Sequence, residues 1–202
     1  MITELINTLT DPMVLIGALG TIGVISIIFL ETGVPFGFFF PGDSLLFTAG
    51  LLASQGYASL TWLLIGTVVA AIVGDNVGYY FGRRVGPSIF TKDDSLFFNK
   101  KHVAKAQLFF EKYGRKTIIL ARFIPIIRTF APILAGVGSM NYRTFVTFNI
   151  IGGFLWTWSM LLLGYGFGSI IPDPEIYILP IIGLIIVVSF IPALLAIFRK
   201  KQ

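Results

Sequence analysis

The chain lacks cysteine and carries a single histidine, His102. Disulfides, thiolate nucleophiles and cysteine-based zinc sites are excluded, and one histidine cannot build a His-rich metal site by itself. No metal and no cofactor is expected. Charge is also scarce: 12% of the 202 residues are Asp, Glu, Lys or Arg, against about 25% in soluble domains. The first eleven residues contain Glu4 and Asp11 but no lysine or arginine. They lack the basic segment of a secretory signal, so the apolar run from Pro12 reads as a retained span. What is abundant is apolar: 55% hydrophobic residues, 20 Phe and 22 Gly, glycine being commoner in membrane helices than in soluble ones. These proportions describe an integral membrane protein with a single membrane domain over residues 1–202.

Uncharged runs set the spans. Residues 12–30 form a run of 19, about one bilayer crossing. Residues 44–74 form a run of 31, which breaks at the polar, small-residue stretch Ser54-Gln55-Gly56-Tyr57-Ala58-Ser59. Runs of 29 and 23 residues follow at 144–172 and 176–198, separated by Pro172-Asp173-Pro174-Glu175. The reading is all-α, with four transmembrane helices at about 13–30, 59–82, 144–168 and 177–198. Two apolar stretches remain, 31–55 and 117–142. Each is broken by charge and proline, and each is expected to form a re-entrant helical hairpin.

Nine of the fifteen basic residues lie between positions 83 and 116, and Arg199, Lys200 and Lys201 end the chain. The positive-inside rule places this loop and the C-terminus in the cytoplasm. Spans three and four then require 141–143 to be cytoplasmic, so 117–142 enters and leaves from that side. Residues 56–58 lie outside, 31–55 enters from the outside, and the N-terminus is cytoplasmic. The hairpins approach each other from opposite faces. One reads Glu31, Pro35, Pro41, Ala49-Gly50; the other reads Arg122, Pro125, Pro132, Ala135-Gly136. Opposed broken segments of this kind point to an inverted repeat with a midplane site, as in transporters.

Two further patterns accompany them. Gly66, Ala70, Gly74, Gly78, Gly82 and Gly86 recur every fourth residue, a face on which another backbone can pack closely, with Asp75 beside it. Within 83–116, Phe97, Phe98, Leu108 and Phe109 among lysines describe an interfacial amphipathic helix, whose lysines can meet anionic headgroups. His102 in that helix reads as solvated.

A charged side chain at mid-bilayer costs at least about 2.5–3.5 kcal/mol on insertion scales. Glu31, Asp43, Arg122 and Arg128 therefore need partners or a function. One reading is buried ion pairs that lock the hairpins together, although such pairs are often replaceable by apolar residues. The other is an anion site: arginine's planar fork suits phosphate, and Asp43 reads as the N-cap of a half-helix 44–54 whose N-terminal end favours anions.

Glu31-x-x-x-Pro35, Phe40-Pro41-Gly42-Asp43, Gly74-Asp75-x-x-Gly78-Tyr79 and the long arginine motif from Arg122-Phe123-Ile124-Pro125 through Arg128, Pro132, Ala135-Gly136 and Met140, with Phe145 and Asn149, carry a resemblance. Over residues 15–170 the chain resembles the DedA family, the bacterial branch of the SNARE-associated, VTT-domain membrane proteins. The resemblance implies translocation of a lipid phosphate, undecaprenyl phosphate or a phospholipid, across the bacterial cytoplasmic (inner) membrane, with links to the proton motive force. It implies that the acidic pair Glu31 and Asp43 and the arginine pair Arg122 and Arg128 are required for function, with Asp75 in a further motif.

The mechanism expected is an alternating-access flippase rather than an enzyme. Arg122 and Arg128 bind the phosphate, Glu31 and Asp43 pair with them in the empty site and couple protons, and Asp75 and Asn149 support. Its partners are the lipid phosphate, protons and membrane lipids, with no nucleic acid; self-association stays open. The competing readings are a proton, ion or small-solute antiporter and, with less support for want of a nucleophile or metal cluster, a lipid phosphatase.

Overall fold

The computed structural model describes residues 12–35, 37, 40–89 and 116–170. The fourth expected span at 177–198, the amphipathic segment of the basic loop, His102 and both termini lie outside the described residues. Those described form six helices and no strand: α1 Pro12–Gly33, α2 Gly42–Ser54, α3 Leu60–Ile89, α4 Lys116–Ala121, α5 Pro125–Val137 and α6 Tyr142–Ile170. This is an all-helical membrane protein, and among the described residues two helices, Leu60–Val85 and Tyr142–Ile170, are long and apolar enough to cross a bilayer.

Four boundaries differ from the sequence reading. The first span is not one straight helix. Gly20 adopts φ 60 and ψ −159, a positive-φ conformation that glycine reaches far more readily than residues with a side chain, and this divides α1 in two. The helix then runs on to Gly33, so Glu31 sits in its last turn rather than in the break. The third difference lies at residues 83–89, read as the start of the basic loop, which continue α3 to Ile89. Arg83 and Arg84 are exposed there, and a helix can carry solvated side chains past the bilayer without interrupting its backbone ladder. Finally, α2 begins at Gly42, two residues ahead of the expected 44–54, with Pro41 in the flanking position.

Proline sets the start of α5. Ile124 is extended (φ −121, ψ 108), as the residue before a proline prefers, and Pro125 opens the helix where no N–H is needed. Between α4 and α5 the backbone makes three successive tight bonds, from the amides of Arg122, Phe123 and Ile124 to the carbonyls of Ile119, Leu120 and Ala121. At the C-terminal side of α5, Asn141 accepts the amides of Arg143 (3.0 Å) and Thr144 (3.4 Å) through Oδ1 and caps α6.

The packing has a repeating logic. Helices α2 and α5 are each 13 residues long, about 20 Å at 1.5 Å per residue, too short for a hydrocarbon core of about 30 Å. Helix α2 packs chiefly on α6, and α5 on α3. In the first pair Gly50 lies against the Leu161 carbonyl and Gly164 against the Phe47 carbonyl. In the second, Gly136 lies against the Tyr79 carbonyl and Gly82 against that of Ile133. Adding 86 to the α2 numbers and subtracting 82 from the α6 numbers converts the first pair of contacts into the second. The Ala49-Gly50 and Ala135-Gly136 motifs thus occupy matching places.

The small-residue ladder of α3 does what close packing asks of it. A side chain at Gly74 would meet Thr32 and the Phe29 carbonyl of α1, and one at Gly82 would meet α5. A neighbouring edge, Ile65, Val69, Val73 and Val77, is exposed apolar surface, the face lipid would cover. The main core gathers Val24, Ile28, Leu45, Leu46, Leu51, Leu63, Trp156 and Leu161. A smaller one holds Tyr79, Ile118, Ala135 and Phe145, with the Tyr79 and Phe145 rings stacked at 4.5 Å.

Candidate functional site

Each break in a helix delivers a charge to the interior. Glu31 comes from the last turn of α1, Asp43 from the first turn of α2, Arg122 from the break after α4 and Arg128 from the first turn of α5. Asp75 comes from the middle of α3, one residue beyond Gly74, where α1 approaches. The side chains of Glu31, Asp75, Arg122 and Arg128 are each 1% exposed, and that of Asp43 is 15% exposed. Asp43 therefore marks the side on which the cluster opens.

The charges sort into two linked groups. Arg128 spreads its fork between two carboxylates: Nη2 pairs with Glu31 Oε1, and Nη1 donates to Asp43 Oδ1 at 2.8 Å. Arg122 pairs through Nη2 with Asp75 Oδ2 and donates from the same nitrogen to Asn149 Oδ1. Asn149 is held in turn by its Nδ2, which donates to the Ile72 carbonyl at 3.1 Å. The groups are joined where Arg128 Nη1 donates to the Arg122 carbonyl at 3.3 Å.

All six residues singled out in the sequence are thus brought together, but not in the expected pairs. Glu31 and Asp43 were expected to serve both arginines; both go to Arg128, and Arg122 takes Asp75. Asp75 and Asn149, expected in support, are direct partners of Arg122. Nor does Asp43 cap α2. The helix starts one residue earlier, no side chain caps it, and the Asp43 carboxylate is turned toward Arg128 and α6. A guanidinium in a buried site is a stronger partner for a carboxylate than a backbone amide.

Sequence reasoning missed Trp156. Its ring lies 4.1 Å from the Arg128 guanidinium carbon, and its Nε1–H donates to Asp43 Oδ1 at 2.7 Å. The signal was present: Asn149, Gly152, Gly153 and Trp156 follow the i, i+3, i+4, i+7 spacing of one helix face, and all four are buried. The two glycines make room for Arg122, since a Cβ at Gly152 would come within 2.9 Å of its Cδ and one at Gly153 within 3.6 Å of Nη1.

The cluster holds three carboxylates against two guanidiniums and is not saturated. Arg122 Nε and Nη1, Arg128 Nε, Glu31 Oε2 and Asp75 Oδ1 are buried without a hydrogen-bond partner. Unpaired groups of this kind are costly in a dry interior, and three of the five are cationic donors. The arrangement leaves three arginine donors unused beside one more carboxylate than there are guanidiniums.

Residues 40–166 match the model of the VTT domain. That match covers most of the chain and contains Asp43, Asp75, both arginines, Asn149 and Trp156. The chain belongs to the VTT-domain, or DedA, family. An uncharacterized membrane protein of Mycobacterium tuberculosis is 45% identical over 197 residues, covering 94% of this chain and 86% of that one. Protein DedA of Escherichia coli is 46% identical over 178 residues, covering 87% and 81%. The inner membrane protein YqjA of Escherichia coli is 32% identical over 163 residues, covering 81% and 73%. No solved structure matches.

Proposed function

We propose that the protein is a carrier that moves a lipid phosphate, undecaprenyl phosphate or a phospholipid, across the bacterial cytoplasmic membrane with coupled proton movement. The observation that carries this reading is the pair of buried arginines whose donors are only partly used by carboxylates. Arginine recognises phosphate through fixed, charge-assisted hydrogen bonds. In the empty site Glu31 and Asp43 hold Arg128, and Asp75 holds Arg122. An arriving phosphate displaces carboxylates from the guanidiniums, and the displaced groups take up protons, so that charge in the low-dielectric interior stays nearly balanced. The lipid tail remains in the bilayer beside the exposed apolar faces of α3 and α6.

In the same reading α1, α3, α6 and residues 177–198 span the bilayer, and 31–55 and 117–142 are re-entrant hairpins from opposite sides. The short α2 and α5, with their matching glycine contacts, are the halves of an inverted repeat, and both termini are cytoplasmic. The 83–116 region contacts the inner membrane surface. Reconstituted protein tests the function: Arg122→Ala and Arg128→Ala are expected to abolish headgroup translocation measured with a labelled lipid phosphate. Wild-type rates in both would overturn it.

The surplus carboxylate favours a second reading, a proton or ion antiporter supporting envelope homeostasis. Proton flux in vesicles that does not depend on any lipid phosphate, and is lost in Glu31→Gln, would select it.

A further inference from the structure

Helix α6 contributes no charge to the cluster, yet it touches both arginine groups. Asn149 accepts from Arg122, and two turns further on Trp156 reaches the Arg128 group with two different parts of one side chain. Its ring face covers the guanidinium, and its N–H shares Asp43 Oδ1 with Arg128 Nη1, at 2.7 and 2.8 Å respectively. A tryptophan that merely filled the core would need neither contact. Trp156 is 1% exposed, so its N–H has no water to turn to if Asp43 moves. Asp43 is the member of the cluster with access to the outside, and hence the carboxylate that can leave.

We propose that Trp156 is a positioning residue that latches the anion site: its N–H holds Asp43 on Arg128 while the site is empty, and its ring keeps the guanidinium in place when an oxyanion takes the carboxylate's position. The inference rests on the anion-carrier reading above. The ligand chemistry is a tetrahedral oxyanion, whether a lipid headgroup or free phosphate. The N–H stabilises the empty state, because a hydrogen bond to a charged acceptor is among the stronger ones. The ring contact, a cation–π interaction strengthened by desolvation, counts most in the occupied state, when Asp43 no longer fixes the guanidinium.

The two roles separate by substitution. Binding of octyl phosphate and of inorganic phosphate to the purified full chain is measured by calorimetry. Trp156→Phe keeps a ring over Arg128 and removes the N–H, and it is expected to bind about tenfold more tightly than wild type. Trp156→Leu removes both and is expected to bind more weakly than wild type. Loss of a structural tryptophan would weaken binding in both variants, so tighter binding by the Phe variant is the distinguishing sign. A gain with either probe supports the latch, and the more tightly bound probe names the source of the oxyanion. A folded Phe variant with unchanged or weaker binding overturns it. Should the Phe variant not fold, the wild-type side chain still decides. With Trp62→Phe and Trp158→Phe, Trp156 is the sole indole, and its emission is expected to shift when octyl phosphate binds. Calorimetric binding without an emission change overturns the latch alone. A wild-type protein that binds neither probe overturns both the latch and the carrier reading.

Discussion

Arg122 illustrates how a buried cation is held by residues remote in sequence. Asp75 supplies the counter-charge from α3, Asn149 supplies a neutral acceptor from α6, and Gly152 and Gly153 leave space for the guanidinium. Removing one member of a buried pair leaves an uncompensated charge, which is far more costly than removing both. Asp75→Asn keeps the volume and an acceptor but removes the charge. It is expected to lower stability by about 3 kcal/mol, read as an earlier thermal transition of the detergent-solubilised protein. The double variant Asp75→Asn/Arg122→Met is expected to recover part of that loss. A single variant as stable as wild type would show that the pair contributes nothing to folding.

At the scale of the element, glycine decides where helices can meet. A Cβ at Gly136 would collide with the Tyr79 carbonyl, a backbone atom that cannot yield, whereas one at Gly78 would rest at 3.5 Å from Pro132 Cβ, ordinary contact. Gly136→Ala must push α5 off α3 and is expected to cost about 1–3 kcal/mol. Gly78→Ala, in the middle of α3, gains helix propensity of up to about 1 kcal/mol and is expected to be neutral or stabilising. Thermal unfolding of the two variants side by side checks this. The same glycines that read as a repeat in the sequence carry the α2–α6 and α3–α5 contacts, so disturbing Gly136 also disturbs the seating of Arg128, eight residues earlier on α5.

For the whole molecule, the proposed topology makes a prediction that the absence of cysteine makes simple to test. Tyr57, 73% exposed in the turn between α2 and α3, is placed outside; Arg143, exposed at the start of α6, is placed in the cytoplasm. In intact cells a membrane-impermeant maleimide is expected to label Tyr57→Cys and to label Arg143→Cys only after the membrane is opened. Labelling of both from outside would contradict the opposed hairpins. The chain's architecture also explains why three carboxylates and two arginines can share one interior: each arrives at a helix end or beside a glycine contact, so no single helix carries the full cost of insertion.

Membrane residence, the α-helical class and the six polar residues of the cluster were legible in the sequence. Long uncharged runs, proline and isolated charge are local signals whose cost in lipid is set by chemistry alone. Who pairs with whom was not legible. Arg122 meets Asp75 across 47 positions and Arg128 meets Glu31 across 97, because α3 packs on α1 and α5 at once, and charge counting cannot choose among carboxylates of equal sign. The tertiary structure also redirected Asp43 from capping α2 to Arg128, and placed Trp156 over that pair. A hydrogen bond and a ring contact made between helices leave only a spacing in the sequence; it takes the packed backbones to turn that spacing into a position.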